Sequence, residues 1–254
     1  MSAPAAAVRK RVADEHEPLF VCRDLSRGYG SGEHAVAAVA GANCQIRPLD
    51  RIALTGPSGS GKSTLLHLMA GLEYPGGGEL SWPGLGGDPR LRRDLVGVVF
   101  QAPSLIDALD VAENVELPLL LAAASAQRRS GARPGIPAGE RDARARALAA
   151  LGALQLGGLA NKLPEELSGG QAQRVAVARV LAGERLVLAD EPTGQLDHVT
   201  GSLVIDVLLA AADQLGAALV VATHDPAVAR RLSTEWTMAD GHLVTGDPSE
   251  DELP

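Results

Sequence analysis

Aromatic residues are nearly missing from this chain of 254 residues: two Trp, two Tyr and two Phe amount to 2%, although 46% of the sequence is hydrophobic. A core drawn from that composition has to be packed from Ala, Val and Leu. There are only two cysteines, Cys22 and Cys44, and their spacing fits no metal site. They are expected as small buried hydrophobes in a reducing compartment. No stretch reaches the ~18 uninterrupted apolar residues of a membrane helix. The nearest, Leu203 to Ala222, carries Asp206, Asp213 and Gln214. No apolar signal-peptide core follows the basic residues near the start. Positive charge is also short. A net charge of −8 argues against a nucleic-acid footprint. These deficits predict a soluble, cytoplasmic chain, long enough for one large domain or two small ones.

What the chain does have is glycine in a particular place. Residues 56–63 read Gly-Pro-Ser-Gly-Ser-Gly-Lys-Ser, which fits G-x-x-x-x-G-K-[ST] at every fixed position. Glycines let successive N–H groups turn around an anion. Lys62 can then reach the β- and γ-phosphates of a nucleotide, and the Ser63 hydroxyl can ligate Mg²⁺. Gly56, Pro57, Ser58, Gly59, Ser60, Gly61 and Thr64 complete the cradle. Arg51-Ile-Ala-Leu-Thr55 reads as a buried strand entering it. Ser63 to Ala70 reads as the helix leaving it, with Gly71 as its stop. Strand, loop and helix in that order predict a nucleoside triphosphate site.

Residues 1–17 read as a disordered leader. Short β-like runs (Leu19 to Cys22, Val36 to Val39, Asn43 to Ile46) suggest a small, largely antiparallel sheet before the phosphate loop. Leu95 to Phe100 reads as a strand. Asp107 to Ala126 reads as mostly helical, with Pro118 expected to interrupt it. Ser125 to Gly139 is expected to be an exposed, mobile insertion. Glu140 to Leu151 resumes a helix, and its Arg144 and Arg146 beside Glu140 and Asp142 read as a solvated face. Arg185 to Asp190 is a continuous apolar strand ending in acid, as in a parallel sheet buried on both faces. A helix from Gly201 to Leu215, a strand from Ala217 to Ala222 and an acidic tail over 246–254 follow.

Leu186-Val-Leu-Ala-Asp190-Glu191 puts Asp190 where a carboxylate can hold Mg²⁺, and Glu191 where one can orient and deprotonate water. Leu167-Ser-Gly-Gly-Gln171 opens a helix that is expected to run to Gly183. Ser168 is a good N-cap, and the positive end of the helix faces outward. That start, with Gly169, Gly170 and Gln171, reads as a second anion site or as an ordinary cap of a surface helix.

With these motifs in this order, the chain from about Leu19 to Val244 resembles the nucleotide-binding subunit of ATP-binding cassette transporters. The resemblance implies an α/β P-loop NTPase: a RecA-like, mostly parallel sheet core, an N-terminal antiparallel β-subdomain and an inserted α-helical subdomain. Residues 18–245 then form one ATPase domain, with core and β-subdomain in 18–100 and 176–245. The helical subdomain covers 101–175 and contains the flexible insertion 125–139. The resemblance also implies Mg²⁺ and ATP sandwiched head to tail, the Ser168–Gln171 element closing over the γ-phosphate bound by a second copy or a paralogous subunit. Gln101 is implied to touch Mg²⁺ and link to a transmembrane permease. Pro192 to Asp197 couples the two sites, His224 senses the γ-phosphate, and Tyr29 stacks on adenine or is merely a turn tyrosine. The other histidines match no motif.

Gly-Pro-Ser-Gly-Ser-Gly-Lys-Ser-Thr-Leu-Leu, Glu113 to Pro118 and Pro192-Thr-Gly-x-Leu-Asp resemble the branch serving lipoprotein release, macrolide export and bacitracin resistance. Gln195, Ala172 and Pro48-Leu-Asp50 depart from its usual pattern without removing a catalytic group. The implied activity is ATP hydrolysis that energises a permease at the cytoplasmic face of the inner membrane. The membrane is reached only through that partner, and nucleic acid is not one. The alternative is a regulatory ATPase of the cell-division type, which moves no substrate.

Overall fold

The computed structural model describes residues 17–31, 36–90, 95–130, 139–180 and 185–245. The leader through residue 16, the Gly/Pro part of the insertion, the stop at Gly183 and the acidic tail lie outside them.

Six strands form the central sheet in the order β5-β6-β7-β3-β8-β9: β3 Arg51–Thr55, β5 Val96–Val99, β6 Leu186–Asp190, β7 Ala218–Ala222, β8 Thr234–Ala239 and β9 His242–Thr245. All pairings are parallel except β8 with β9. The side-chain alternation of a strand explains why the inner members are apolar at every position. Ala53, Val187, Ala189, Leu219 and Val221 belong to one core cluster. Their chain neighbours Ile52, Leu54, Leu186, Leu188, Val220 and Ala222 belong to the other. The scarcity of aromatics is met as expected, by packing Val, Leu and Ala.

On one face lie helix α1, Lys62–Met69, and a three-stranded antiparallel sheet of β1 Phe20–Tyr29, β2 Val36–Ile46 and β4 Gly77–Ser81. The two N-terminal strands are longer than the short runs read from sequence. Register shifts between Cys22 and Leu25, Leu25 and Arg27, and Arg27 and Gly28 break the period-2 pattern that would have revealed them. Cys22 and Cys44 are cross-strand neighbours, buried, with their sulfurs 3.3 Å apart.

The core cluster of the other face takes in α2 Val111–Ser130, α3 Gly139–Ala153, α4 Gly169–Arg179 and α5 His198–Leu215. Two expectations are corrected here. Pro118 lies inside α2 without ending it. An internal proline costs about 3 kcal/mol, but Val111, Ala112, Val115 and Leu119 bury that helix on both sides of it. The stretch expected as a loop from Ser125 is helical through Ser130, and helix resumes at Gly139. Ala126, Gln127 and Arg128 are good helix formers, and the breakers Gly131, Pro134, Gly135 and Pro137 all lie beyond them.

Helix α4 likewise ends at Arg179, before Gly183. α5 is the one helix among the described residues long and apolar enough to cross a membrane. Here it packs Val204, Ile205, Leu208 and Ala212 into the core instead.

Candidate functional site

β3, β6 and β7 are adjacent, and their C-terminal ends deliver the phosphate loop, Glu191 and His224 to one edge of the sheet, where open parallel sheets bind ligands. Two backbone bonds tie these ends together: Glu191 N–H donates to Ala222 O at 3.0 Å, and Thr223 N–H to Leu54 O at 3.0 Å.

The loop after β3 needs its glycines. Gly56 and Gly61 have φ of 142° and 103°. A Cβ would stand 2.1 Å from Met238 O at the first and 1.9 Å from Ala38 O at the second. Helix α1 starts at Lys62 with no side-chain cap, so its first N–H groups point into the loop as donors. Lys62, although buried, donates from Nζ to Gly56 O and Pro57 O, both at 2.9 Å. The cation thus folds back over the cradle it would share with a phosphate.

Behind the loop sits Asp190, 5% exposed. Its Oδ1 has no hydrogen-bond partner among the described residues. Burial pushes its carboxyl above the ordinary range, a bond from Ser63, with His67 and Lys62 nearby, pulls the other way, and Glu191 adds to the rise. A buried carboxylate with an orphaned oxygen, beside a serine hydroxyl, is an oxygen-donor set suited to a small divalent cation. Gln101 lines the cleft in front of it.

Glu191 adopts φ of 44°, a left-handed conformation that a non-glycine residue holds only at a cost of about 1–3 kcal/mol. That geometry turns its carboxylate toward His224, Oε2 lying 3.3 Å from Nδ1.

One cleft is lined by Tyr29, Ala38, Ser58, Gly59, Gly61, Lys62, Ser63, Thr64, Gln101, Glu191 and His224. It gathers most of the residues singled out in the sequence. Gly56 and Pro57 face a neighbouring cleft with His224 and Asp225, and Ser60 is buried beneath the loop. Glu73 was missed in the sequence. It accepts from the Tyr29 hydroxyl at 2.5 Å and pairs with Arg27 at 3.2 Å and, more distantly, with His67 at 3.9 Å. The Arg27 guanidinium lies 5.0 Å from the Tyr29 ring centre. No local pattern marks Glu73; only the approach of β1 to the end of α1 reveals it.

The second group stands apart. Ser168 caps α4 in a reciprocal box: its Oγ accepts from Gln171 N–H at 3.3 Å, and Gln171 Oε1 accepts from Ser168 N–H at 2.9 Å. None of Ser168, Gly169, Gly170 or Gln171 lines the cleft that holds Lys62 and Ser63. Gly170 packs instead beside Leu196, 3.1 Å from where a Cβ would lie. Asp197, in the same loop as Leu196, caps α5 by accepting from Val199 and Thr200 N–H, both at 3.0 Å. Those bonds, the Thr200 ones foremost, hold its carboxyl below the ordinary range.

The model of the family described as ABC transporter matches residues 39–194. The lipoprotein-releasing system ATP-binding protein LolD of Pseudomonas fluorescens is 38% identical over 234 residues, 89% of this chain and 97% of LolD. The macrolide export ATP-binding/permease protein MacB of Marinobacter nauticus is 39% identical over 92% of this chain, which spans only 35% of MacB. A dimeric, post-hydrolysis structure of the ATP-binding cassette MJ0796 bound to ADP and Pi superposes with a TM-score of 0.75 at 34% identity, over 89% of this chain and 98% of that one. The chain belongs to the ABC transporter family, as one of its ATP-binding, ATP-hydrolysing subunits.

Proposed function

We propose that two copies of this chain, or this chain and a paralogue, enclose Mg-ATP head to tail, and that their closure drives a separate transmembrane permease from the cytoplasmic face of the inner membrane. One observation carries this reading. The Ser168–Gln171 helix start, whose capped end suits an anion, lies outside the cleft that holds Lys62, Ser63 and Glu191. A partner copy presents it to the γ-phosphate, completing what neither chain encloses alone.

Within the cleft, Lys62 exchanges its two carbonyl acceptors for phosphate oxygens, and the loop N–H groups cradle the same anion. Ser63, Gln101 and Asp190 are the residues that would hold Mg²⁺. When bound, the cation supplies charge neutralisation on the β- and γ-phosphate oxygens. Glu191 takes the proton of the attacking water, and His224, with Nδ1 toward Glu191, keeps Nε2 for the γ-phosphate. Tyr29 offers its ring to the base.

The dilution behaviour of the ATPase tests the proposal. Because each active site needs two chains, specific activity should rise with protein concentration and level off once dimers dominate. Constant specific activity from nanomolar to micromolar protein would mean that one chain is a complete enzyme.

A further inference from the structure

Helix α4, capped by Ser168, also reaches the loop that carries Gln101, and it does so at two points, its middle and its C-terminal end. Gln173, with 0% exposure, donates from Nε2 to Phe100 O at 3.2 Å. Further along the helix, Arg179 donates from Nη1 to Ser104 O at 2.5 Å and from Nη2 to Ser104 Oγ at 2.9 Å. Phe100 and Ser104 flank Gln101, and the same rigid helix holds the chain before it and after it.

Neither contact is explained by packing. A fully buried amide is costly unless satisfied, and Gln173 Oε1 has no partner among the described residues. Leucine or methionine would fill that place more cheaply. Burial lowers the Arg179 pKa, and among the described residues the acceptors of its guanidinium are a carbonyl and a hydroxyl rather than a carboxylate. Placing a desolvated guanidinium on neutral oxygens makes sense where a backbone has to be held in one position, because its planar fork fixes two acceptors at once.

We infer that Gln173 and Arg179 are positioning residues that clamp the Gln101 loop to α4, so that the seat of Gln101 in one nucleotide cleft is fixed relative to the Ser168–Gln171 element. α4 is a continuous helix between these points. A displacement of its N-terminus by a partner's nucleotide is therefore passed to Phe100 and Ser104, and through them to Gln101. This inference rests on the proposed role of Gln101 at Mg²⁺.

The test compares Arg179→Lys, Ser104→Ala and Gln101→Ala, and each of the first two combined with Gln101→Ala, in the full chain with ATP and varied Mg²⁺. Lysine keeps the charge but cannot span both acceptors, and Ser104→Ala removes only the exposed hydroxyl. Each should raise the Mg²⁺ concentration giving half-maximal rate and lower kcat, on the order of tenfold, since small misplacements of positioning groups cost up to about 100-fold. For Ser104→Ala the melting temperature should stay within about 2 °C of the parent, because an exposed hydroxyl contributes little to stability. In the Gln101→Ala background neither substitution should change the Mg²⁺ dependence further. An unaltered Mg²⁺ dependence in both single variants, or effects that simply add to that of Gln101→Ala, would overturn the clamp alone. A Gln101→Ala enzyme with parental Mg²⁺ dependence would overturn the metal role of Gln101, and the clamp with it.

Discussion

Glu191 and His224, from the ends of two neighbouring parallel strands, meet with Oε2 and Nδ1 3.3 Å apart. The contact orients the ring of a histidine that is otherwise exposed, 65% of its side chain being open to solvent. If His224 donates to charge developing on the γ-phosphate, His224→Ala should lower kcat about 100-fold or more, the usual effect of losing one such donor. Nucleotide affinity should move little. Steady-state kinetics with a parallel binding titration checks this, and a raised KM with unchanged kcat would place His224 in ground-state binding instead.

Lys62→Ala should weaken nucleotide binding about 10- to 100-fold, because a hydrogen bond to a charged group is worth about 1.5–3 kcal/mol. Lys62 Nζ sits on Gly56 O and Pro57 O, so this cation is already directed at the loop. Titration with a fluorescent ATP analogue reads the loss directly.

Gly61→Ala and Gly59→Ala should differ although both glycines have positive φ. At Gly61 a Cβ would strike Ala38 O at 1.9 Å, whereas nothing lies within 4 Å at Gly59. The first should cost on the order of 3 kcal/mol or more, and the second only the ~1–2 kcal/mol of a left-handed residue. At roughly 2–4 °C per kcal/mol, thermal melting will separate them.

Asn114, 1% exposed, binds the chain that leads into α2. Its Nδ2 donates to Ile106 O, Leu109 O and Asp110 O, and its Oδ1 accepts from Ile106 N–H at 2.8 Å. Asn114→Ala takes the partner from Ile106 N–H and Leu109 O, while Ile106 O and Asp110 O keep the backbone N–H groups of Leu109 and Asn114; it should cost about 2–4 kcal/mol, given 1–3 for each group left unsatisfied. Chemical denaturation measures it.

The chemistry of this protein is more legible in its sequence than its packing is. Lys62, Asp190 and Glu191 could be picked out because phosphate chemistry demands particular residue types beside a strand end or a helix start, whereas His224 was implied only by the family resemblance. Those demands act over a few residues. Glu73, Gln173 and Arg179 could not, because each meets its partner across a long separation in the chain: Tyr29, Phe100 and Ser104 respectively. Pro118 misled for a similar reason, since the burial that keeps α2 continuous is tertiary and outweighs a local penalty. β8 does alternate, with Trp236 and Met238 buried between exposed neighbours, but only the sheet shows that it lies beside β3. The separation of Ser168 from the nucleotide cleft is likewise visible only in three dimensions.

That separation is the central claim, and trapping the closed dimer tests it most directly. Glu191→Gln keeps the shape of the side chain and removes the proposed base, a group typically worth about 100- to 10,000-fold in rate. Bound ATP then persists and favours the closed pair by linkage. The account predicts that Glu191→Gln with Mg-ATP elutes from size-exclusion chromatography as a dimer, and that adding Ser168→Arg, which blocks the second half-site, returns it to a monomer. A monomer in the first case, or an undisturbed dimer in the second, would contradict the shared site.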